Sequence, residues 1–250
     1  MPQSNFIRIS PSISASHFSY GNINHHNLTF TKIVPEVVFN VDNKNARSFY
    51  STSLRFKYYF IAKDESLAAF DANGTFSHYQ KVNKQYDVRE VEYLIKSKHP
   101  IRPHSLTLTV HENTEMAKVF GEAKILFKYP EKKKGVDVRL FAGSFIFNNS
   151  QNGYYNFGMS GNNDYLFNHV MLGRTDFKGI LAKQLIPNDG GFRNLTALQS
   201  DRNWLSAINF QAALPFKLPL AVYADAGISS ASMQTQQQML WAYGVAVTVV

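Results

Sequence analysis

The chain has 250 residues, a formal net charge of +8, 44% hydrophobic and 18% charged residues, and no cysteine. That length suits one β-barrel or sandwich, or two small domains. The missing cysteines exclude disulfides and thiolate metal sites, and no apolar run reaches the roughly 18 residues of a transmembrane helix. The 20 Phe and 13 Tyr favour strands and, in a membrane barrel, the aromatic girdles at its two rims.

Met1-Pro2-Gln3-Ser4 is followed by no apolar segment of the kind a signal peptide needs. Strand patterns then run over Phe6–Tyr20 and Leu28–Val41. Pro11 and Pro35 fall inside them and predict bulges or bends, because proline cannot donate to a ladder. The change of parity from Ile7, Ile9 and Ile13 to Phe18 and Tyr20 predicts a bulge as well. Turn chemistry follows at Gly21-Asn22 and at Asp42–Asn45.

From Ser48 to Phe60 the alternation is regular: Leu54, Phe56, Tyr58 and Phe60 share one face, and Ser51, Ser53, Arg55 and Lys57 the other. Lys63–Thr75 has a brief helical look around Leu67–Phe70. Tyr86–Ile95 and Ser105–Val110 are further strands. Ala117–Tyr129 and Val136–Phe147 alternate again, and the charged turn Pro130–Gly135 between them predicts a hairpin. The run Lys132-Lys133-Lys134 reads as that hairpin's solvated tip rather than a nucleic-acid patch. Asn148–Arg202 is long and rich in Asn and Gly, with a short strand at Asn156–Ser160. Trp204–Ala213, Leu220–Ile228 and Leu240–Val250 complete the set, with Gln234–Gln238 as a hairpin end. The prediction is one domain over residues 1–250, an all-β, antiparallel up-and-down barrel of outer-membrane type.

A soluble sandwich also alternates. Three features favour lipid on the apolar side: strands longer than the usual five or six residues, polar faces that mix charges with aromatics, and aromatics at strand ends. These last are Tyr58–Phe60, Phe127 and Tyr129, Phe145 and Phe147, Trp204, and Trp241 with Tyr243.

Candidate chemistry is sparse. His111-Glu112-Asn113-Thr114-Glu115 resembles H-E-x-x-H, in which two histidines one helical turn apart bind zinc. Here Glu115 replaces the second histidine and the preceding residues alternate as a strand, so a polar turn is expected. His25 and His26 are neighbours that would point to opposite faces of a strand. Gly190-Gly191-Phe192-Arg193 lacks the strand–loop–helix setting of a phosphate loop and reads as a bend folded into a barrel mouth. Glu122, Lys124, Asp137 and Arg139 predict a charged cluster that fills an interior. No catalytic, cofactor-binding or metal-ligating residue is assigned.

Several short segments carry a family resemblance: Gly135–Gly143, Asp164–Phe167, Leu172-Gly173-Arg174, Gly190-Gly191-Phe192 and Asn45–Ser48. Together they resemble the C-terminal half of large gluzincin, aminopeptidase-N-like metallopeptidases of Gram-negative bacteria. In those proteins a zinc peptidase domain precedes a β-rich region similar to an outer-membrane barrel. The resemblance implies a non-catalytic barrel-like fragment, a covalently linked peptidase domain elsewhere in the parent protein, and contact with outer-membrane lipid. The end at Val247–Val250, without the terminal Phe or Trp usual in such barrels, suggests a wall one closing strand short. Two alternatives stay open. One is a stand-alone barrel for transport or protein assembly, similar to the surface-antigen barrels. The other is a soluble β-sheet binding module.

Overall fold

The structure is a computed structural model describing residues 6–23, 26–42, 49–71, 74–130, 134–150, 155–158, 165–168, 190–192, 201–215, 219–234 and 239–247. Ten strands follow one another in chain order: β1 (Phe6–Ile23), β2 (His26–Asp42), β3 (Tyr50–Phe70), β4 (Phe76–Ser97), β5 (His104–Glu112), β6 (Met116–Lys128), β7 (Gly135–Asn148), β8 (Trp204–Ala213), β9 (Leu220–Ser229) and β10 (Leu240–Val247). A short helix, α1 (Ser230–Gln234), precedes β10. The strands form one 10-stranded sheet in which each pairs antiparallel with its sequence neighbour. The up-and-down order is the predicted one. Among the described residues the sheet is not closed: β1 and β10 each pair with a strand on one side only.

The two ends of the sheet differ. At one end lie the turns β2–β3, β4–β5, β6–β7 and β8–β9, all short. At the other lies the long connection from β7 to β8, residues 149–203, together with the β1–β2, β3–β4, β5–β6 and β9–β10 connections. The β7–β8 connection sets the second end apart, since the β1–β2, β3–β4 and β5–β6 connections there are shorter than the turns of the first end.

Several local expectations change. Leu67–Phe70 is strand, not helix: β3 runs on to Phe70, and Ala68 and Ala69 pair with Tyr79 and His78. Pairing along a ladder overrides the weak helix propensity of Leu and Ala. Gly21 and Asn22 are not the turn but lie within β1, opposite Leu28 and Asn27. The Asn156–Ser160 strand reduces to a single bridge, Phe157 opposite Asp201; residues 159 and 160 lie outside the described residues. Gln234 ends α1, and 235–238 also lie outside them.

The prolines behave differently from each other, and neither makes a bulge. The β2–β3 register is constant, but the pairings of Val34 and Pro35 are missing from it. A proline nitrogen facing β3 accounts for the gap. Residues of a strand bond alternately to its two neighbours, so the even-numbered residues of β2 bond to β1. Pro11 pairs with Val37 in an unbroken ladder. Its nitrogen therefore faces the edge of β1 away from β2, where no β2 bond is lost. The bulge in β1 falls at Ser19/Gly21 instead.

Candidate functional site: an apolar outer face and a filled inner face

Cross-strand partners share a face, so the register sorts every side chain. One set links Phe56, Val91, Val110 and Val119 across β3 to β6. A parallel set links Leu140, Ile208, Ala226 and Trp241 across β7 to β10. This outer face is exposed: Leu108, Val110, Val119, Leu140, Ile208 and Phe210 keep 38–47% of their surface. From β5 to β10 the outward positions between Leu106 and Val110, Val119 and Ile125, Val136 and Ser144, Ser206 and Ala212, Val222 and Ile228, and Trp241 and Val245 hold no charged residue. Soluble monomers rarely expose a continuous apolar patch above a few hundred Å². Trp241 and Tyr243 stack on this face, with centroids 5.4 Å apart. Its shallow concavity of about 510 Å³ is lined by small and aliphatic residues, among them Gly121, Ala123, Ala142 and Ala226, and it holds no converging acid, base and nucleophile.

The opposite face is polar and covered. Arg55 lies between Glu36 and Glu92 at 2.8 and 2.9 Å. The predicted cluster forms in large part: Arg139 Nε and Lys124 Nζ each lie 2.5 Å from a Glu122 oxygen, and an Arg139 terminal nitrogen donates to Asn209 at 2.8 Å. Asp137 shares the inner face with Arg139 and is exposed.

What covers this face is the long β7–β8 connection. Tyr155, Phe157, Tyr165, Leu166 and Phe192 come from it, and all are buried. They touch strands from β2 to β9. Phe167 lies 4.4 Å from Phe30 (centroid to centroid), and Tyr165 meets His111 edge-on at 5.9 Å. Phe157 packs on Phe145 and Phe141 at 4.9 and 5.9 Å. Lys32 Nζ donates to the carbonyls of Leu166 and Phe167 at 3.1 and 2.8 Å. That clamp holds Phe167 at a φ of 51°, a conformation non-glycine residues rarely adopt. Lys118 is fully buried, its ammonium 4.8–5.0 Å from the centroids of Phe120, Phe157 and Tyr165, within cation–π reach.

His111 sits at the centre of this packing, not in a metal motif. It is an inward residue of β5, with one ring nitrogen 2.5 Å from the Tyr165 hydroxyl and the other 2.9 Å from Glu90. Glu90 also holds Lys57 at 2.8 Å and the Tyr59 hydroxyl at 3.2 Å. Glu112 points outward beside Arg89, 3.7 Å away, and Glu115 lies in the β5–β6 turn that Asn113 caps. Among the described residues no group of three or more His, Asp or Glu could hold a metal ion. His25 lies outside the described residues.

Gly190-Gly191-Phe192 does fold onto the inner face. Gly190 has a φ of +86°, and a Cβ there would meet Leu205 at 2.1 Å and Phe141 at 2.9 Å. The Gly191 carbonyl accepts from Asn209 at 3.2 Å, and Phe192 rests on Gly227, where a Cβ would stand 3.0 Å from its ring. Arg193 lies outside the described residues, as do Asp164, Leu172–Arg174 and Asn45–Ser48. Tyr59, expected in a rim girdle, points inward and is buried.

Asp201 fastens the end of the connection. Its backbone exchanges two 2.8 Å bonds with Phe157, and its carboxylate accepts from Asn203 N–H, Ser230 Oγ and Ala231 N–H at 2.6–2.8 Å. Partial burial would raise the pKa of this carboxyl, but the converging backbone and serine donors hold it below the ordinary aspartate value.

Sequence reading did not find the inserted residues Tyr155, Phe157 and Tyr165. Gly143 inside a strand was the available signal, since an isolated strand glycine marks close approach of another segment. No protein-family model matches this chain. No curated protein matches it either.

Proposed function

We propose that this chain is a non-catalytic β-barrel-like wall in the bacterial outer membrane that anchors or presents a covalently linked zinc peptidase domain. The observation carrying the membrane part is the apolar outer face, uncharged from β5 to β10 between the positions named above, set against an inner face that is polar and filled. β6 and β7, 13 and 14 residues long, exceed the roughly 9–11 that a tilted membrane strand needs. The link to a peptidase rests on the resemblance of Gly135–Gly143 and the accompanying segments. The filled inner face favours anchoring over passage of solute.

Leu108→Arg tests the membrane reading. Leu108 is outward and 47% exposed. In water an arginine there changes stability by no more than about 0.5 kcal/mol. Facing the bilayer midplane it costs about 2–4 kcal/mol. Folding into vesicles, followed by protease protection against denaturant, reads the difference. A chain that stays monodisperse without detergent and tolerates Leu108→Arg would sink the proposal. The peptidase link is tested separately, by asking whether the parent polypeptide carries an H-E-x-x-H domain with bound zinc.

A further inference from the structure

The turn between β4 and β5 carries a feature that wall and plug leave unused. Lys98, His99 and Arg102 are exposed there, with exposed Lys96 just before them and exposed Lys128 at the adjoining end of β6. None of the residues at 49–51, 96–103 and 125–130 is Asp or Glu. Basic residues on a turn are ordinarily just solvated. This turn also holds large apolar groups in the open: Phe49, Tyr50 and Ile101 are 46%, 57% and 59% exposed.

The arrangement is fixed rather than trailing. Lys98 N–H donates to the Phe49 carbonyl at 2.8 Å. The amides of Ile101 and Arg102 both donate to His99 Nδ1 at 3.3 Å. Lys128 N–H donates to the Ile101 carbonyl at 3.0 Å, and Leu126 N–H to that of Pro103 at 3.0 Å. Phe49 meets the His99 ring edge-on at 5.5 Å, and Tyr50 meets His104 at 5.7 Å. Cations thus stand beside aromatic and aliphatic groups at the rim opposite the β7–β8 connection, where the outward band of Leu54, Tyr93 and Leu106 ends.

We infer that this rim seats the phosphates of anionic phospholipid headgroups. The inference rests on the membrane reading and adds to it a chemical preference and a location. Aromatic residues settle at the headgroup level of a bilayer. A guanidinium can grip a phosphate through two parallel hydrogen bonds, while a lysine acts as a point charge. Phe49, Tyr50 and Ile101 enter the acyl boundary, and Lys98 and Arg102 meet the phosphates above them.

The test uses the whole chain refolded into phosphatidylcholine vesicles containing a trace of spin-labelled phosphatidylglycerol or spin-labelled phosphatidylcholine. The motionally restricted fraction of each label gives its relative association with the protein. The expected result is a preference for phosphatidylglycerol of about fivefold for each of the two cations at low salt. Lys98→Gln with Arg102→Gln should bring the preference close to one, with the protease-resistant core unchanged, and high salt should do the same in the parent protein. Equal restriction of both labels would overturn the headgroup site and leave the membrane reading standing. A preference that survives the double substitution would overturn the assignment to this turn. Restriction of neither label would overturn the inference and the membrane reading together.

Discussion

Gly143→Ala should release the inserted connection from the inner face while leaving the strands intact. A Cβ at Gly143 would lie 2.7 and 2.8 Å from two atoms of the Phe157 ring and 2.8 Å from Phe120 Cβ. The ring has little room to yield. It is fully buried, flanked by Phe145 and Phe141 and covered by the Lys118 ammonium, while its backbone is tied to Asp201. Overpacking of this kind costs about 1–3 kcal/mol. A cost of about 2 kcal/mol corresponds to a 30-fold larger open fraction. Amide exchange at residue 157, whose N–H bonds to the Asp201 carbonyl, reports that fraction where reclosing outpaces exchange. Phe157→Leu alone should also raise exchange, through lost packing. Combined with Gly143→Ala it removes the clash, so the two changes should fall short of additivity by about 1 kcal/mol or more. Unchanged exchange in Gly143→Ala, or strict additivity with Phe157→Leu, would refute the packing argument.

The other contacts of the connection make parallel predictions. His111→Leu removes the group joining Tyr165 to Glu90, and stranded buried polar atoms cost about 1–3 kcal/mol each. Opening of the connection, read by amide exchange at Phe157, should therefore rise at least about tenfold. Tyr165→Phe should raise it less, and the pair should be non-additive; full additivity would place the two groups in separate networks. Asp201 predicts a pH dependence. Its folded pKa lies below the unfolded value of about 3.9. The stabilisation is therefore complete well above that value, and it is lost as pH falls through the folded pKa. Amide exchange at Phe157 and Ala231, corrected for intrinsic rates, should accelerate in that acid range, and Asp201→Asn should flatten the dependence. Protection that is insensitive to acid in the parent protein would count against this role.

The strands were legible because their physics is local. In β6 and β7 alternation alone placed the hairpin to within a residue or so, as the inward charges Glu122, Lys124 and Arg139 and the outward Val119, Ile125 and Leu140 kept strict parity. Where local signals conflicted, the reading went astray. Leu67-Ala68-Ala69 favours helix by composition, and only pairing with β4 settles it as strand. The covering of the inner face was illegible for a different reason. Phe157 and Tyr165 look like ordinary loop aromatics, and their burial depends on partners far away in sequence, such as Phe30, His111 and Gly143. His111 drew attention for its neighbours Glu112 and Glu115, yet the residue that matters to it is Glu90, across the ladder on β4. Chemical motifs read along the chain cannot supply such cross-strand partners.

The outer face and the sheet edges bear on each other. In hydrocarbon every backbone N–H and C=O needs a partner, which is why only helices and closed barrels span a bilayer. Here the odd-numbered residues Ile7, Ile9, Ile13 and Ala15 of β1 turn their amides and carbonyls to an edge that no described strand pairs, and β10 has such an edge of its own. The proposal that lipid covers the outer face therefore carries a second commitment: in the membrane both edges are paired with strands. The partner of β1 meets one missing donor, at Pro11, so its ladder has a gap there while the bonds on either side form. Hydrogen exchange on the membrane-inserted protein decides the matter, because Ile9 and Ile13 amides then resist exchange as strongly as those of Val38 and Asn40, which bond to β1. Rapid exchange at Ile9 and Ile13, with lipid in contact at Leu108, would show that the apolar face and the open edge coexist, and the barrel-wall reading would fail.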